Sequence, residues 1–135
     1  MHMRYSVRAV IVQDGKVILI KRTKEGQPVY YCFPGGGIEE SDASAETALI
    51  RECQEELGVV VRVGHEIYRH AFNGAPDVFY RCDIVSGLIQ KKIGGPEAER
   101  PDIYGAYEVM WVDLEKISQL NIQPPEMKEV IQYKL

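Results

Sequence analysis

The chain has 135 residues, of which 45% are hydrophobic and 27% are charged, and its formal net charge is −4 at pH 7. This length and composition are typical of one folded domain, here residues 1–135, and they exclude a disordered, collagen-like or coiled-coil protein. The acidic balance argues against a protein held on a nucleic acid polymer or a membrane surface by bulk electrostatics. It leaves room for a small phosphorylated ligand, which a few local cations or a metal ion can bind.

No apolar stretch reaches about 18 residues, the length that a membrane span requires. The first residues run into a strand-like pattern and lack the apolar segment of a signal peptide. The three cysteines, Cys32, Cys53 and Cys82, form no C-x-x-C pair and have apolar neighbours. We therefore expect buried free thiols and a cytoplasmic protein.

The first part of the chain predicts strands at residues 5–12, 16–22 and 29–33. The pair Asp14-Gly15 predicts a hairpin between the first two, because glycine supplies the positive φ angle that such turns require. The segment Pro34-Gly35-Gly36-Gly37 follows the third strand and predicts an irregular loop.

Residues 43–57 change to a helical period. Ser41 or Asp42 is the predicted N-cap of this helix, and Gly58 is the predicted left-handed residue at its end.

The second half predicts mainly strands. They are expected at 59–63, 67–72, 78–85 and 107–112, with a turn at 73–77 and a long loop at 86–104. A short helix capped by Asp113 and a terminal helix with Pro125 in its first turn complete the chain. The order of elements predicts a mixed α/β domain.

Three carboxylates lie together on the predicted helix. Glu52, Glu55 and Glu56 fall within an arc of about 100°, since successive helical residues are about 100° apart. Their charges repel one another, and the helix macrodipole disfavours negative charge at this end. A solvated acidic face is one interpretation. Small neighbours on the same face and the glycine loop before the helix favour another, in which Mg²⁺ or Mn²⁺ binds the carboxylate oxygens.

The glycine segment before the helix fits the same interpretation. Glycines let the backbone approach a ligand closely, and an exposed carbonyl can serve as a further oxygen ligand. A flexible loop is the alternative. The segment is not a phosphate-binding P-loop, because no Gly-Lys-Ser/Thr follows it.

The region resembles the Nudix box of the Nudix hydrolase family, whose pattern is G-x5-E-x7-R-E-U-x-E-E-x-G-U with U an apolar residue. The matching segment is Gly36-x5-Asp42-x8-Arg51-Glu52-Cys53-Gln54-Glu55-Glu56-Leu57-Gly58-Val59. Its first half departs from the pattern, because Asp42 stands at the glutamate position and one extra residue precedes Arg51. We interpret this as a one-residue insertion in the loop and expect replacement of Asp42 to matter little.

The resemblance implies an α/β/α sandwich around a central mixed sheet. It also implies a hydrolase of phosphoanhydride bonds that acts on a nucleoside diphosphate linked to another group. Arg51 would pair with a box carboxylate and orient it. The implied ligands of Mg²⁺, or of Mn²⁺ as the alternative ion, are Glu52, Glu55, Glu56 and the carbonyl of Gly35 or Gly36.

The implied mechanism is attack of water on phosphorus. A bound cation draws charge from the phosphate oxygens and lowers the pKa of water, and a carboxylate accepts the proton. Glu52 is the first candidate for this general base. Glu97 and Glu99 in the predicted long loop are the others, unless they form an ordinary exposed charged loop.

Candidate substrate-binding residues are Arg8 and Arg22 for phosphate and Tyr31 for stacking on a base. Their ordinary alternatives are surface cations and a core aromatic residue. His65 and His70 are not expected to be catalytic. The accessory motif of ADP-ribose enzymes does not fit, since Pro76 lies too far beyond the box.

The expected substrate is therefore a nucleoside triphosphate or a small nucleotide derivative. The alternatives are an ADP-ribose or nucleotide-sugar pyrophosphatase and a domain that senses a nucleotide without turnover. The sequence does not decide the oligomeric state, and a homodimer is one possibility.

Overall fold

A computed structural model of the protein describes residues 5–90 and 105–135. Strands β1 (Ser6–Gln13) and β2 (Lys16–Thr23) form an antiparallel hairpin in which Gln13 pairs with Lys16. The turn residues Asp14 and Gly15 have φ angles of 52° and 73°. These positive values confirm the hairpin predicted from the Asp-Gly pair.

Seven strands form one mixed sheet. The order is β3-β2-β1-β6-β5, while β4 pairs with β1 and β7 pairs with β2. Only the β1–β6 pairing is parallel among the pairings of the described strands, and the others are antiparallel. The remaining strands are β3 (Tyr30–Cys32), β4 (Gly35–Gly37), β5 (Val59–Phe72), β6 (Ala75–Gly87) and β7 (Ala106–Asp113).

Apolar residues fill both faces of the sheet. One cluster joins β1 to the buried side of helix α1 (Ala45–Leu57), and the other joins β1 and β2 to the C-terminal helix α2 (Met127–Tyr133). Alternation along β1 sends Val7, Ala9 and Ile11 into the first cluster and Val10 into the second. The α/β/α sandwich with a central mixed sheet is thereby confirmed.

Helix α1 starts later than the sequence predicted. Its N-cap is Ser44, whose hydroxyl accepts a hydrogen bond from the backbone N–H of Thr47 at 3.1 Å. Asp42 is engaged elsewhere and does not cap the helix. At the other end Gly58 has a φ angle of 76° and donates to the carbonyl of Gln54, which confirms the predicted left-handed cap.

The segment predicted as an irregular glycine loop is a strand. Gly35, Gly36 and Gly37 pair with Arg8, Val7 and Ser6 of β1 in antiparallel register. Gly35 has a φ angle of 143°, and a Cβ atom there would lie 2.0 Å from the carbonyl oxygen of Val7. Glycine is required here because β1 approaches too closely for any side chain.

Other details also differ from the predictions. The terminal helix begins at Met127, so Pro125 precedes it and does not lie in its first turn. Residues 59–72 form a single strand, β5, with register irregularities between Val63 and Tyr68, where two strands were expected. The turn after β5 is tight and centred on Asn73 and Gly74, both with positive φ. Asp113 precedes a 3₁₀ helix, Leu114–Gln119, but makes no side-chain capping bond.

The described cysteines are free, as predicted, with Cys53 and Cys82 buried and Cys32 partly buried. Burial raises the pKa of the Cys32 thiol to about 11. Within the described ranges, the helices are too short or too polar to cross a bilayer.

Substitution of Gly35 by alanine should disrupt the pairing of β1 with β4 and strongly lower the stability of the fold, because the added Cβ would clash with the backbone of β1. Gly26 offers a matched control, because its φ angle of 80° is also positive but no atom lies within 4 Å of an added Cβ. Gly26→Ala should cost about 1–2 kcal/mol from backbone strain alone. Urea unfolding of both variants measures the difference, and equal losses of stability would contradict the steric argument.

Candidate functional site

The glycine strand β4 lies directly against the carboxylates of α1. The backbone N–H of Gly35 donates to Oε2 of Glu56 at 3.2 Å. A Cβ atom on Gly36 would lie 2.6 Å from Oε1 of Glu52, so the backbone of Gly36 touches that side chain. The side chain of Glu52 is 14% exposed, whereas that of Glu55 is 53% exposed. The carboxylates of Glu52 and Glu56 therefore face the strand, and Glu55 stands at the solvent side.

Burial makes the negative charges of this pair costly. It raises the pKa of Glu56 well above its ordinary value, and the neighbouring charge of Glu52 adds to the rise. Burial also raises the pKa of Glu52, although its hydrogen bond with Glu56 and the charge of Arg51 oppose the shift. A cation placed between the two carboxylates would remove this cost.

The donor set fits a hard divalent cation. Carboxylate and carbonyl oxygens are the ligands that Mg²⁺ prefers, and Mg²⁺ usually binds one or two carboxylates together with substrate phosphates. Residues 5–90 and 105–135 contain no group of three or more His, Cys, Asp or Glu side chains poised around one point, so the side chains of Glu52 and Glu56 are the candidate ligands.

Arg51 joins the loop before α1 to the carboxylates on the helix. Its Nε and Nη2 donate to the two oxygens of Asp42, each at 3.0 Å. Its Nη1 lies 3.3 Å from Oε1 of Glu52 and 3.3 Å from Oε1 of Glu55. The guanidinium is thus held at one side by Asp42 and contacts the helix carboxylates at the other.

Asp42 is more firmly placed than the sequence analysis expected. Its side chain is only 4% exposed and also accepts the backbone N–H of Glu39 at 2.8 Å. Hydrogen bonds from Arg51 and from this N–H lower the pKa of Asp42. Asp42 lies two residues before the N-cap Ser44, and from there its carboxylate reaches Arg51. The sequence analysis expected replacement of Asp42 to matter little, and these contacts instead lead us to expect an effect through Arg51.

A cleft of about 440 Å³ opens beside β1. Its aromatic lining consists of Tyr30, Phe33, Phe72 and Phe79, and its charged lining consists of Arg8, Arg22 and Asp77. The rings of Phe33 and Phe79 meet edge to face with centroids 5.5 Å apart. A flat apolar ring with attached phosphates matches such a lining, since aromatic faces bind the ring and arginines bind the phosphates.

Two of the three candidate substrate-binding residues line the cleft, and the third does not. Arg8 and Arg22 both line the cleft, as does Tyr30. Tyr31, the residue predicted to stack on a base, instead packs against the cluster beside α2, and its backbone pairs with that of Asn121 and Gln123. Neighbouring strand residues point to opposite sides, so Tyr30 takes the place expected for Tyr31.

Arg22 is held by aromatic rings. Its guanidinium lies 4.2 Å from the ring centroid of Tyr107 and 5.4 Å from that of Tyr30, and it also donates to the hydroxyl of Tyr107. The candidate bases Glu97 and Glu99 lie outside the described residues.

The sequence analysis missed Asp77, which it placed in a turn. Asp77 is buried and pairs directly with His70 across the β5–β6 hairpin. The tight turn at Asn73 and Gly74 fixes this register, since counting outward from it brings residues 70 and 77 opposite each other. Recognition of that two-residue turn in the sequence would have identified the pair.

Comparisons with known proteins agree with one another. The family model of the NUDIX domain matches residues 2–133. The CTP pyrophosphohydrolase of Escherichia coli K12 is 37% identical over 70 residues, which cover 52% of this chain and 52% of that protein. The match thus spans about half the length of that relative. The ADP-ribose pyrophosphatase of Methanocaldococcus jannaschii is 30% identical over 122 residues, which cover 89% of this chain and 68% of that protein.

Solved structures share the fold. A hydrolase of the NUDIX family from Clostridium perfringens has a TM-score of 0.71 and 21% sequence identity, with 100% of each chain covered. At this identity the likeness shows a common fold alone.

The raised pKa of Glu56 predicts a pH-dependent effect of Glu56→Gln on the metal-free protein. A folded pKa above the ordinary value of 4.5 means that stability is lost as pH rises from that value through the folded pKa. Glutamine carries no charge, so the variant should melt at higher temperature than the parent protein at pH 8, with the difference shrinking toward pH 5.

Thermal unfolding in EDTA from pH 5 to pH 8 measures this difference. Glu55→Gln, which removes an exposed carboxylate from the same helix, is the control. A difference in melting temperature between the parent protein and Glu56→Gln that stays constant from pH 5 to pH 8 would contradict the prediction.

Proposed function

The chain belongs to the Nudix hydrolase family, and we propose that it is a Mg²⁺-dependent pyrophosphohydrolase of a nucleoside triphosphate or a small nucleotide derivative. The observation that carries this proposal is the juxtaposition of three features. They are the paired carboxylates of Glu52 and Glu56, the glycine backbone of β4 against them, and the aromatic cleft beside β1. The family acts on small nucleotides and generally uses a divalent metal.

The proposed ligands of the cation are Glu52 and Glu56, with Glu55 at the solvent side and a carbonyl from Gly35 or Gly36. Mn²⁺ is the alternative ion. When bound, such a cation withdraws charge from the diphosphate oxygens and lowers the pKa of a bound water. The fixed backbone of β4 keeps the carboxylates in place, because its glycines allow direct contact.

Glu52 is the proposed general base, and Glu97 and Glu99 are the alternative candidates. The oxygen of water forms a bond to phosphorus while the phosphoanhydride P–O bond breaks, and its electron pair leaves with the departing phosphate oxygen. The proton of the water passes to the carboxylate. Arg51 orients Glu52 through its contact at 3.3 Å.

The cleft is proposed to hold the nucleoside. Tyr30 and Phe72 present aromatic surface to a base, and Arg8 and Arg22 provide positive charge for its phosphates. ADP-ribose or a nucleotide sugar is the second candidate class, favoured by the extensive match to the Methanocaldococcus jannaschii relative named ADP-ribose pyrophosphatase.

A substrate panel with and without Mg²⁺ tests the proposal. The panel contains canonical and oxidised nucleoside triphosphates, ADP-ribose, dinucleotides and nucleotide sugars, with a coupled phosphatase to reveal monophosphate products. Mg²⁺-dependent release of phosphate or pyrophosphate from one class is the expected result. Thermal shifts with a nucleotide but no turnover of any compound would overturn the proposal in favour of a sensing domain.

Glu56→Gln should lower Mg²⁺-dependent turnover by about a thousandfold, because loss of a cation ligand removes several kcal/mol of transition-state stabilisation. Glu46→Gln is the matched control, since Glu46 is exposed in the first turn of the same helix. Near-normal activity of Glu56→Gln would refute the assigned cation site.

Asp42→Ala should lower kcat by about ten- to a hundredfold, because Arg51 loses the charged hydrogen bonds that hold it beside Glu52. Glu39→Gln serves as the control, since Glu39 is 52% exposed and lies 3.8 Å from the same guanidinium. Its loss should change kcat by less than about twofold. Equal effects of the two substitutions would show that Asp42 does not position Arg51.

A further inference from the structure

A buried aspartate with two side-chain partners lies at the edge of the cleft. Asp77 is a buried residue, 5% exposed, and it belongs to the lining of the cleft. Its Oδ1 accepts a hydrogen bond from Nε of Arg8 at 3.1 Å, and its Oδ2 lies 2.9 Å from Nε2 of His70. A buried carboxylate is stable only when it is paired, and here each of its oxygens has a partner.

The sheet dictates this arrangement. His70 is the direct cross-strand partner of Asp77. Arg8 is the partner of Phe79 on the parallel strand, two residues along from Asp77, so the two side chains share one face of the sheet. The ring of His70 is also stacked on Tyr68, with centroids 5.7 Å apart, which fixes its orientation. Arg8 is thus held by rigid elements and not by a loop.

Arg8 keeps donors for a ligand. Asp77 accepts a hydrogen bond only from Nε of Arg8. In the part of the chain that the structure describes, the two Nη nitrogens of Arg8 have no hydrogen-bond or ion-pair partner. The side chain is 26% exposed and lines the cleft. A guanidinium fixed at Nε presents its remaining N–H groups in one plane, which is the geometry that binds phosphate oxygens.

Arg8 also lies beside the carboxylates of α1. Its backbone pairs with Gly35, the residue whose N–H donates to Glu56. Its positive charge opposes the rise in the pKa of Glu56 that burial causes. Arg22, the other cation of the cleft, stacks on Tyr30 and Tyr107 further along β2. Arg8 thus lines the cleft and pairs with the strand that contacts Glu56.

We propose that Asp77 and His70 are positioning residues for Arg8, and that the Nη groups of Arg8 bind the phosphoryl group next to the nucleoside of the substrate. This inference rests on the proposed function, which sets a nucleoside in the cleft and its diphosphate at α1.

Phosphorus NMR of bound nucleotides tests the inference directly. The four common nucleoside 5′-diphosphates are titrated into the metal-free protein in EDTA, and the shifts of the α- and β-phosphorus and of the base protons are followed. For at least one nucleotide, the chemical shift of the α-phosphorus should change when the parent protein is present. Arg8→Lys should reduce that shift while the base-proton shifts remain. Arg62→Lys, at a side chain that is 72% exposed, is the control.

A double-mutant cycle tests the positioning role. Asp77→Asn should weaken diphosphate binding by about tenfold, since it removes a charged hydrogen bond from Arg8. In the Arg8→Ala background the same change should cost nothing further, because its effect passes through Arg8. His70→Asn should also weaken diphosphate binding, but by less than Asp77→Asn does. If Asp77→Asn does not fold, Arg8→Lys and His70→Asn still decide the outcome.

Three results would overturn the inference. They are the absence of any α-phosphorus shift with the parent protein, a change confined to the base protons in Arg8→Lys, and additive losses in the cycle. These measurements use no metal and no turnover. A failure of the proposed hydrolysis, seen as silence across the substrate panel, is therefore distinguishable from a failure of the Arg8 assignment.

Discussion

The contact between β4 and α1 is the constraint on which the candidate site depends. A strand made only of glycines can approach both β1 on one side and two glutamates on the other. The sheet therefore fixes the backbone of β4, and β4 fixes the carboxylates of Glu52 and Glu56. A side chain at Gly35 would push β4 away from β1, and one at Gly36 would push it away from Glu52. The carboxylates would then lose their contact with the backbone of β4.

The helix and the site carboxylates were predictable because their signals are local. The period of α1, its C-terminal Gly58 and the spacing of Glu52, Glu55 and Glu56 are all present in one continuous segment. Strand β4 was missed, since a run of glycines has no side-chain alternation, and its pairing with β1 depends on residues far away in the sequence. The roles of Glu97 and Glu99 stay predictions.

The residues around the cleft were harder to predict because they come together only through the sheet. Arg8, His70 and Asp77 belong to three different strands, and each alone has an ordinary interpretation as a surface or turn residue. Tyr30 and Tyr31 illustrate the same limit, since composition cannot tell which of two adjacent aromatic residues faces the cleft. Asp42 illustrates the same limit for a loop, because its ion pair with Arg51 depends on the path of the backbone before α1.

The contacts of Arg51 imply a graded response to ionic strength. Its partner Asp42 has a side chain that is 4% exposed, whereas Glu39 and Glu55 are 52% and 53% exposed. Dissolved ions screen exposed pairs much more than buried ones. As salt concentration rises, Arg51 therefore loses its attraction to the outer glutamates first and keeps its bond to Asp42. The loop before α1 remains anchored in concentrated salt, while the outer rim of acidic side chains becomes free to move.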